Sequence, residues 1–369
     1  MLTTVNLTAR EKQQAAEFLL KQIDELIDRP VRFMEVCGTH TVAIFRAGIR
    51  QLLPEKVELV SGPGCPVCVT PNDYLDTAIA YARRQDVIIT TFGDMLKVPG
   101  TTSSLLKVKA EGADIRIVYS PIDSLQIAKD NPTKKVIFLA VGFETTSPTA
   151  AATILAAKQQ GIKNFYVLTA HKLTPPAIKA LLSDDKVKVD GFLLPGHVCV
   201  ITGTKPFAFI AEDYHLPAVV SGFEPLEILQ SVYMLAKQLF EQRAQIENQY
   251  KSVVKPEGNL QAQKIMQMVY TPADANWRGL GKIPNSGLDV NEAFSEFDAL
   301  KQIPITKEIS KEAPGCRCGE VLRGIVKPTQ CPLFGKVCTP QHAVGSCMVS
   351  VEGSCAAWYK YGARTFHFA

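Results

Sequence analysis

Nine of the ten cysteines fall into two groups: Cys37, Cys65 and Cys68 early in the chain, and Cys316, Cys318, Cys331, Cys338, Cys347 and Cys355 late. The early group contains a Cys-x-x-Cys in the run Gly62-Pro-Gly-Cys65-Pro-Val-Cys68-Val-Thr70-Pro71-Asn-Asp73. With Thr70 as N-cap, Pro71 as first helical residue and Asp73 as the acid of a capping box, Cys68 is expected just ahead of a helix N-terminus. The partial positive charge there favours thiolate. Such a pair suits reversible dithiol/disulfide chemistry; a half zinc site completed by Cys37 and His40, or a structural pair, stand as alternatives. Cys37 itself opens Cys37-Gly38-Thr39-His40. Gly38 permits close backbone approach and His40 can orient a ligand or move a proton, while a buried structural thiol is the plain alternative.

In the late group no second Cys-x-x-Cys occurs, which speaks against a zinc ribbon. Four thiolates from loops bracketed by Gly and Pro suit an iron-sulfur cluster, with zinc or free thiols as the other readings. No Gly-x-x-x-x-Gly-Lys-Ser/Thr and no Gly-x-Gly-x-x-Gly after a strand is present, so nucleotide binding lacks its usual support.

The elements that position these thiols follow from the pattern of the rest of the chain. Its 369 residues suffice for two to three domains, and 46% apolar with 21% charged residues is ordinary for a globular protein. A net charge of +4, not gathered into a basic block, argues against nucleic acid. The longest apolar runs have strand length, too short to span a bilayer, and the N-terminus lacks a signal peptide's apolar run, so a cytoplasmic protein with no membrane partner is expected. Strands are expected at Val31–Val36, Val57–Val60, Asp86–Thr90, Asp114–Tyr119, Lys135–Val141, Asn164–Thr169, Val189–Leu194 and Pro217–Val220, alternating with helices as parallel α/β sheets do. Cys37 and Cys65 then follow strand ends, where such sheets gather their chemistry.

Residues 33–41 line up with 138–146 at an offset of 105, and Gly100-Thr101, Ala110-Glu111 and Ser120 recur about 101–103 residues later. This predicts two tandem repeated, Rossmann-like parallel-sheet domains, 31–131 and 132–242, followed by a cysteine-rich third domain, 243–369, on which the N-terminal helix (within 1–30) packs. Within that third part, 241–259 reads as helical and 271–287 as turns. The second copy has Gly142 where the first has Cys37, and offers Glu144, Thr145, Thr146, His171 and His197 instead; each alone is as well explained as a cap or surface side chain.

Taken together, Cys37-Gly-Thr-His40, Gly62-Pro-Gly-Cys65-Pro-Val-Cys68, Thr91-Phe-Gly-Asp94-Met-Leu-Lys-Val-Pro-Gly100, Gly142-Phe-Glu144-Thr-Thr and the late cysteines resemble the HypD family of hydrogenase maturation factors. The resemblance runs from about residue 31 to the C-terminus. It implies a 4Fe-4S cluster on Cys316, Cys331, Cys338 and Cys355, which reproduce the family's Cys-x14-Cys-x6-Cys-x16-Cys spacing and leave Cys199, Cys318 and Cys347 as non-ligands. It further implies a metallocofactor-assembly scaffold. With a HypC-type small chaperone, Cys37 would hold iron while cyanide from a HypE-type donor and carbon monoxide are attached to give Fe(CN)2CO, and Cys65/Cys68 would supply electrons. An iron-sulfur-dependent thiol-disulfide oxidoreductase is the competing function.

Overall fold

The computed structural model describes residues 7–306 and 309–362. The eight expected strands are all present: β1 (Val31–Glu35), β2 (Val57–Ser61), β3 (Val87–Thr91), β4 (Ile115–Ile117), β5 (Lys135–Gly142), β6 (Phe165–His171), β7 (Gly191–Pro195) and β8 (Ala218–Ser221). Three more follow, β9 (Ile246–Asn248), β10 (Tyr270–Trp277) and β11 (Gly281–Val290). All pairings among β1 to β9 are parallel. The chain is thus α/β with two parallel sheets, and its cysteine-rich segment is C-terminal.

Strand membership does not follow the expected division at 131/132. One sheet runs β2-β1-β7-β8-β9 and the other β4-β3-β5-β6, so the first sheet opens, the chain leaves to build the whole second sheet, and then returns. The 105-residue offset reflects a local likeness: β1 and β5 each feed a short loop and a helix and obey the same turn chemistry. Which strands pair is decided by long-range burial, which that likeness does not encode. Both faces of the central strands are used. In β1, Val31 and Phe33 pack on one side with Val57, Leu59, Leu193 and Val219, whereas Met34 joins a core on the other that also holds Ile89, Leu139 and Leu168 of the second sheet. That shared core welds the sheets together.

The C-terminal third is not the self-contained unit expected for 243–369. The stretch 241–259, read as helical, supplies β9 to the first sheet, and 271–287, read as turns, lies within an antiparallel hairpin, β10–β11, tied to the end of β6 by the Leu173 amide donating to Ser286 O at 2.9 Å. The N-terminal helix Ala9–Leu26, capped by Thr8 with Glu11 reaching back in a capping box, likewise does not pack on the cysteine region. Its apolar stripe Ala16, Leu19, Ile23 is buried with β1, β2 and the helix Pro225–Phe240, because that face of the first sheet is otherwise uncovered. No described helix is long and apolar enough to cross a membrane.

Candidate functional site

Cys37 is the N-cap of the helix Gly38–Arg46, directly beyond β1. The helix starts here, so the backbone N–H groups of His40 and Thr39 point at the sulfur and favour thiolate. Burial outweighs them and, with the nearby Glu352 carboxylate, pushes the thiol up to about 11. Cys37 therefore carries its proton at neutral pH. The Gly38 amide donates to Gly64 O at 2.9 Å, which ties this loop to the one that enters Cys65. A Cβ on Gly64 would lie 2.3 Å from the Cys37 nitrogen, so only glycine lets the loops cross.

Cys65 and Cys68 are joined as a disulfide, with Cα atoms 5.2 Å apart. The capping scheme differs from expectation: Cys65 is itself the N-cap of the short helix Pro66–Val69, its sulfur accepting from the Cys68 amide at 3.2 Å. Thr70 closes that helix by donating to Pro66 O, and the next helix, Asn72–Ala82, starts without a side-chain cap. The helix-end amide thus faces the sulfur of Cys65, not that of Cys68. Buried Arg278 holds the far end of this segment, its Nε donating to Thr70 O at 2.9 Å and its amide to Val69 O at 2.8 Å.

His40 is fully buried. Its Nε2 lies 2.9 Å from Gly222 O, its Nδ1 has no partner, and burial pulls its pKa down to about 4. Its ring stacks on Phe223 at 4.5 Å, and Phe223 stacks in turn on the exposed His197 at 3.8 Å. With His40 turned to a carbonyl and Cys65 bonded to Cys68, these residues do not form a zinc-like set. Among the described residues, no three His, Cys, Asp or Glu side chains converge on a single-ion site.

All six late cysteines line one apolar chamber, together with Val321, Leu333, Phe334 and Met348. Cys318 and Cys347 touch, sulfur to sulfur, at 2.7 Å, and side-chain contacts extend from Cys318 to Cys316 and from Cys347 to Cys355. Soft sulfur donors in an apolar lining fit an iron-sulfur cluster, and Cys316, Cys331, Cys338 and Cys355 would be its ligands. The chamber reaches the disulfide through Ser346. Its hydroxyl donates to Cys68 O at 2.8 Å, its carbonyl faces the Cys68 sulfur at 4.0 Å, and its hydroxyl lies 3.9 Å from the Cys318 sulfur.

The polar set of the second sheet is only partly drawn in. Glu144 is buried and accepts from the Thr174 amide (2.7 Å) and hydroxyl (2.9 Å), with burial raising its pKa to about 7. Buried Cys199, whose thiol is pushed up by burial, feels the charges of both Glu144 and Cys37 and so marks where the two sets approach. Thr145 stays at the surface, Thr146 donates to Phe143 O, and His171 faces a separate cleft beyond β6. Sequence reasoning missed Glu352, which accepts from the Thr39 hydroxyl at 2.8 Å and influences both Cys37 and His197, and it missed Arg278. A lone acid in Val351-Glu352-Gly353 carries no pattern that points 300 residues upstream, although Gly353 hints at a tight approach.

Residues 14–362 match the HypD family, described as the Hydrogenase formation hypA family. The chain is 50% identical over 335 residues to a "Hydrogenase maturation factor HypD" of Escherichia coli (strain K12), covering 90% of each chain. Relatives of the same description from Azotobacter vinelandii (48% over 341 residues, 90% of each chain) and Rhizobium leguminosarum bv. viciae (45% over 357 residues, 94% of this chain and 93% of the relative) are similar to it over nearly the same span.

Proposed function

The chain belongs to the HypD family, and from that premise we propose that it serves hydrogenase maturation in the cytoplasm as a redox-active scaffold. With a HypC-type chaperone it holds iron while cyanide from a HypE-type donor and carbon monoxide are attached to form Fe(CN)2CO. The observation that carries this reading is the continuity of the sulfur groups: Gly38 bonds the Cys37 loop to Gly64 beside Cys65, and Ser346 bonds Cys68 to the chamber of six cysteines. In this reading iron is the substrate, and Cys37 binds it by giving up its thiol proton, with a partner cysteine supplying a second sulfur.

Release of cyanide from a protein thiocyanate cleaves the S–C bond and takes two electrons, leaving a thiolate and cyanide. Reduced Cys65 and Cys68 supply both electrons by closing their disulfide, losing two protons. An iron-sulfur cluster bound by Cys316, Cys331, Cys338 and Cys355 would supply single electrons. Cys318 and Cys347, outside that quartet, touch each other in the same chamber, and the Cys318 sulfur lies 3.9 Å from the Ser346 hydroxyl that bonds Cys68 O.

The test is anaerobic co-purification with the small chaperone followed by infrared spectroscopy in the cyanide and carbonyl stretching region. Cys37→Ser should remove those bands while retaining the brown absorbance of the quartet and the native circular dichroism. Bands of normal intensity in that variant would mean that iron is held elsewhere.

A further inference from the structure

A second cleft, of about 230 Å³, opens beyond the carboxyl end of β6, away from the sulfur site. Its walls are the start of the helix Asn72–Ala82 and the hairpin β10–β11, joined across the gap by Asn276 Nδ2 donating to Asp73 Oδ2 at 3.0 Å. Ligands of parallel sheets collect at such strand ends. The amine of Lys172 belongs to this cleft, and Lys172 is only 4% exposed. Among the described residues Nζ has no hydrogen bond and no ion pair; the Trp277 ring lies 6.0 Å away. With so little of the side chain exposed, the ammonium keeps few waters, and burial draws the pKa of Lys172 down to about 8.

Opposite charges face it from the rim. The carboxylates of Asp73 and Asp289 both act electrostatically on Lys172, yet neither comes within ion-pair distance of it. The Asp289 carboxylate has no hydrogen-bonded partner among the described residues, and Lys301 acts on it only electrostatically. The third acid, Asp274, is taken up by Lys282 at 3.2 Å and by the Asn285 amide. Asp73 also accepts from the Tyr74 amide at 2.8 Å, which leaves Asp289 as the less engaged acid. A cation at the floor and carboxylates at the rim, held apart, suit a ligand carrying the reverse pattern.

We propose that this cleft binds a small zwitterion of the amino-acid class, its carboxylate on Lys172 and its ammonium group toward Asp289 and Asp73. A simple anion is disfavoured by the two rim carboxylates, and a simple amine by the ammonium at the floor. The volume admits a molecule of a few carbon atoms, in keeping with such a ligand.

The test is calorimetric titration of the full chain with glycine, β-alanine and 4-aminobutyrate, which space the two charges progressively, with acetate and methylammonium as single-charge controls. One zwitterion should bind saturably at one site, at least about tenfold tighter than either control, and Lys172→Met and Asp289→Asn should each weaken it about tenfold. As a readout independent of folding in the variants, the bound zwitterion should protect Lys172 from reductive methylation, followed by mass spectrometry. No saturable binding by any of the three, acetate binding as well as the best zwitterion, or unchanged methylation of Lys172 would each overturn the proposal.

Discussion

The carboxyl ends of the two sheets are built alike and equipped differently. Beyond β1 and β2 the loops carry Cys37 and the Cys65–Cys68 disulfide, covered by Ser346 and Glu352 from the C-terminal segment. Beyond β5 and β6 they carry Glu144, His171 and Lys172, and the cover is the β10–β11 hairpin. Their buried acids differ in the same sense. Glu35, under the sulfur loops, is neutralised by Arg50 at 2.7 Å, whereas Glu144 has only the neutral donors of Thr174. The parallel scaffold thus sets where a site can form, and the late segments that lie over each end set what chemistry it holds.

The contrast breaks most severely at its glycines. A Cβ at Gly64 would strike the backbone of Cys37 and Val36 at 2.3 to 2.5 Å, and backbone does not yield, whereas at Gly142 it would strike only the Thr146 side chain. Gly64→Ala should therefore cost about 3 kcal/mol or more in denaturant unfolding, against about 2 kcal/mol for Gly142→Ala, where Thr146 must turn away from Phe143 O and its Cβ, 2.8 Å from the added methyl, must shift slightly. Equal midpoints for the two variants would remove the distinction.

The acids offer a sharper comparison through pH. The folded pKa of Glu144 is raised to about 7 from 4.5. The fold thus favours the protonated carboxyl, and this stabilising share is complete below about pH 4.5 and lost as pH rises through 7. Urea titrations should find Glu144→Gln gaining on the parent chain by on the order of 3 kcal/mol between those limits. A constant gap across that range would mean that Glu144 ionises freely in the folded chain. The smallest effect belongs to the aromatic sandwich. Phe223→Leu should cost about 1 kcal/mol and let the NMR-observed pKa of His40 climb from about 4 toward the ordinary imidazole range. A His40 titration unmoved by that change would assign its depression to other neighbours.

These outcomes also bear on how far the chain can be read as text. Strand positions were legible because Val31 to Glu35 and the seven similar runs combine β-branched residues with flanking Gly and Pro, and both cysteine groups were legible from residue type alone. Sheet membership was not, since β1 bonds β7 across more than 150 residues and nothing local in Gly191–Pro195 distinguishes that partner from β6. The capping of the Cys-x-x-Cys was misassigned because Thr70 resembles a cap in sequence, while the sulfur of Cys65 occupies that role in space. Thr271 to Gly287 read as turns because Pro272, Pro284 and three glycines interrupt it. The pairing of Tyr270 with Val290 closes the hairpin all the same, with its irregularity confined to Ala273/Ala275.

The detour of the chain out of its first sheet fixes an order of events during synthesis. Residues 87–171 leave the ribosome as one run that completes the second sheet, while β1 and β2 must wait for β7, β8 and β9 to emerge. The cover over Cys37 and the disulfide comes later still, with Ser346 and Glu352. A nascent chain therefore exposes its early thiols long before it owns the late ones, and a metal ion captured in that interval would meet an unfinished pocket. Translation itself, by delivering the closing segment last, sets the earliest moment at which the sulfur site is complete.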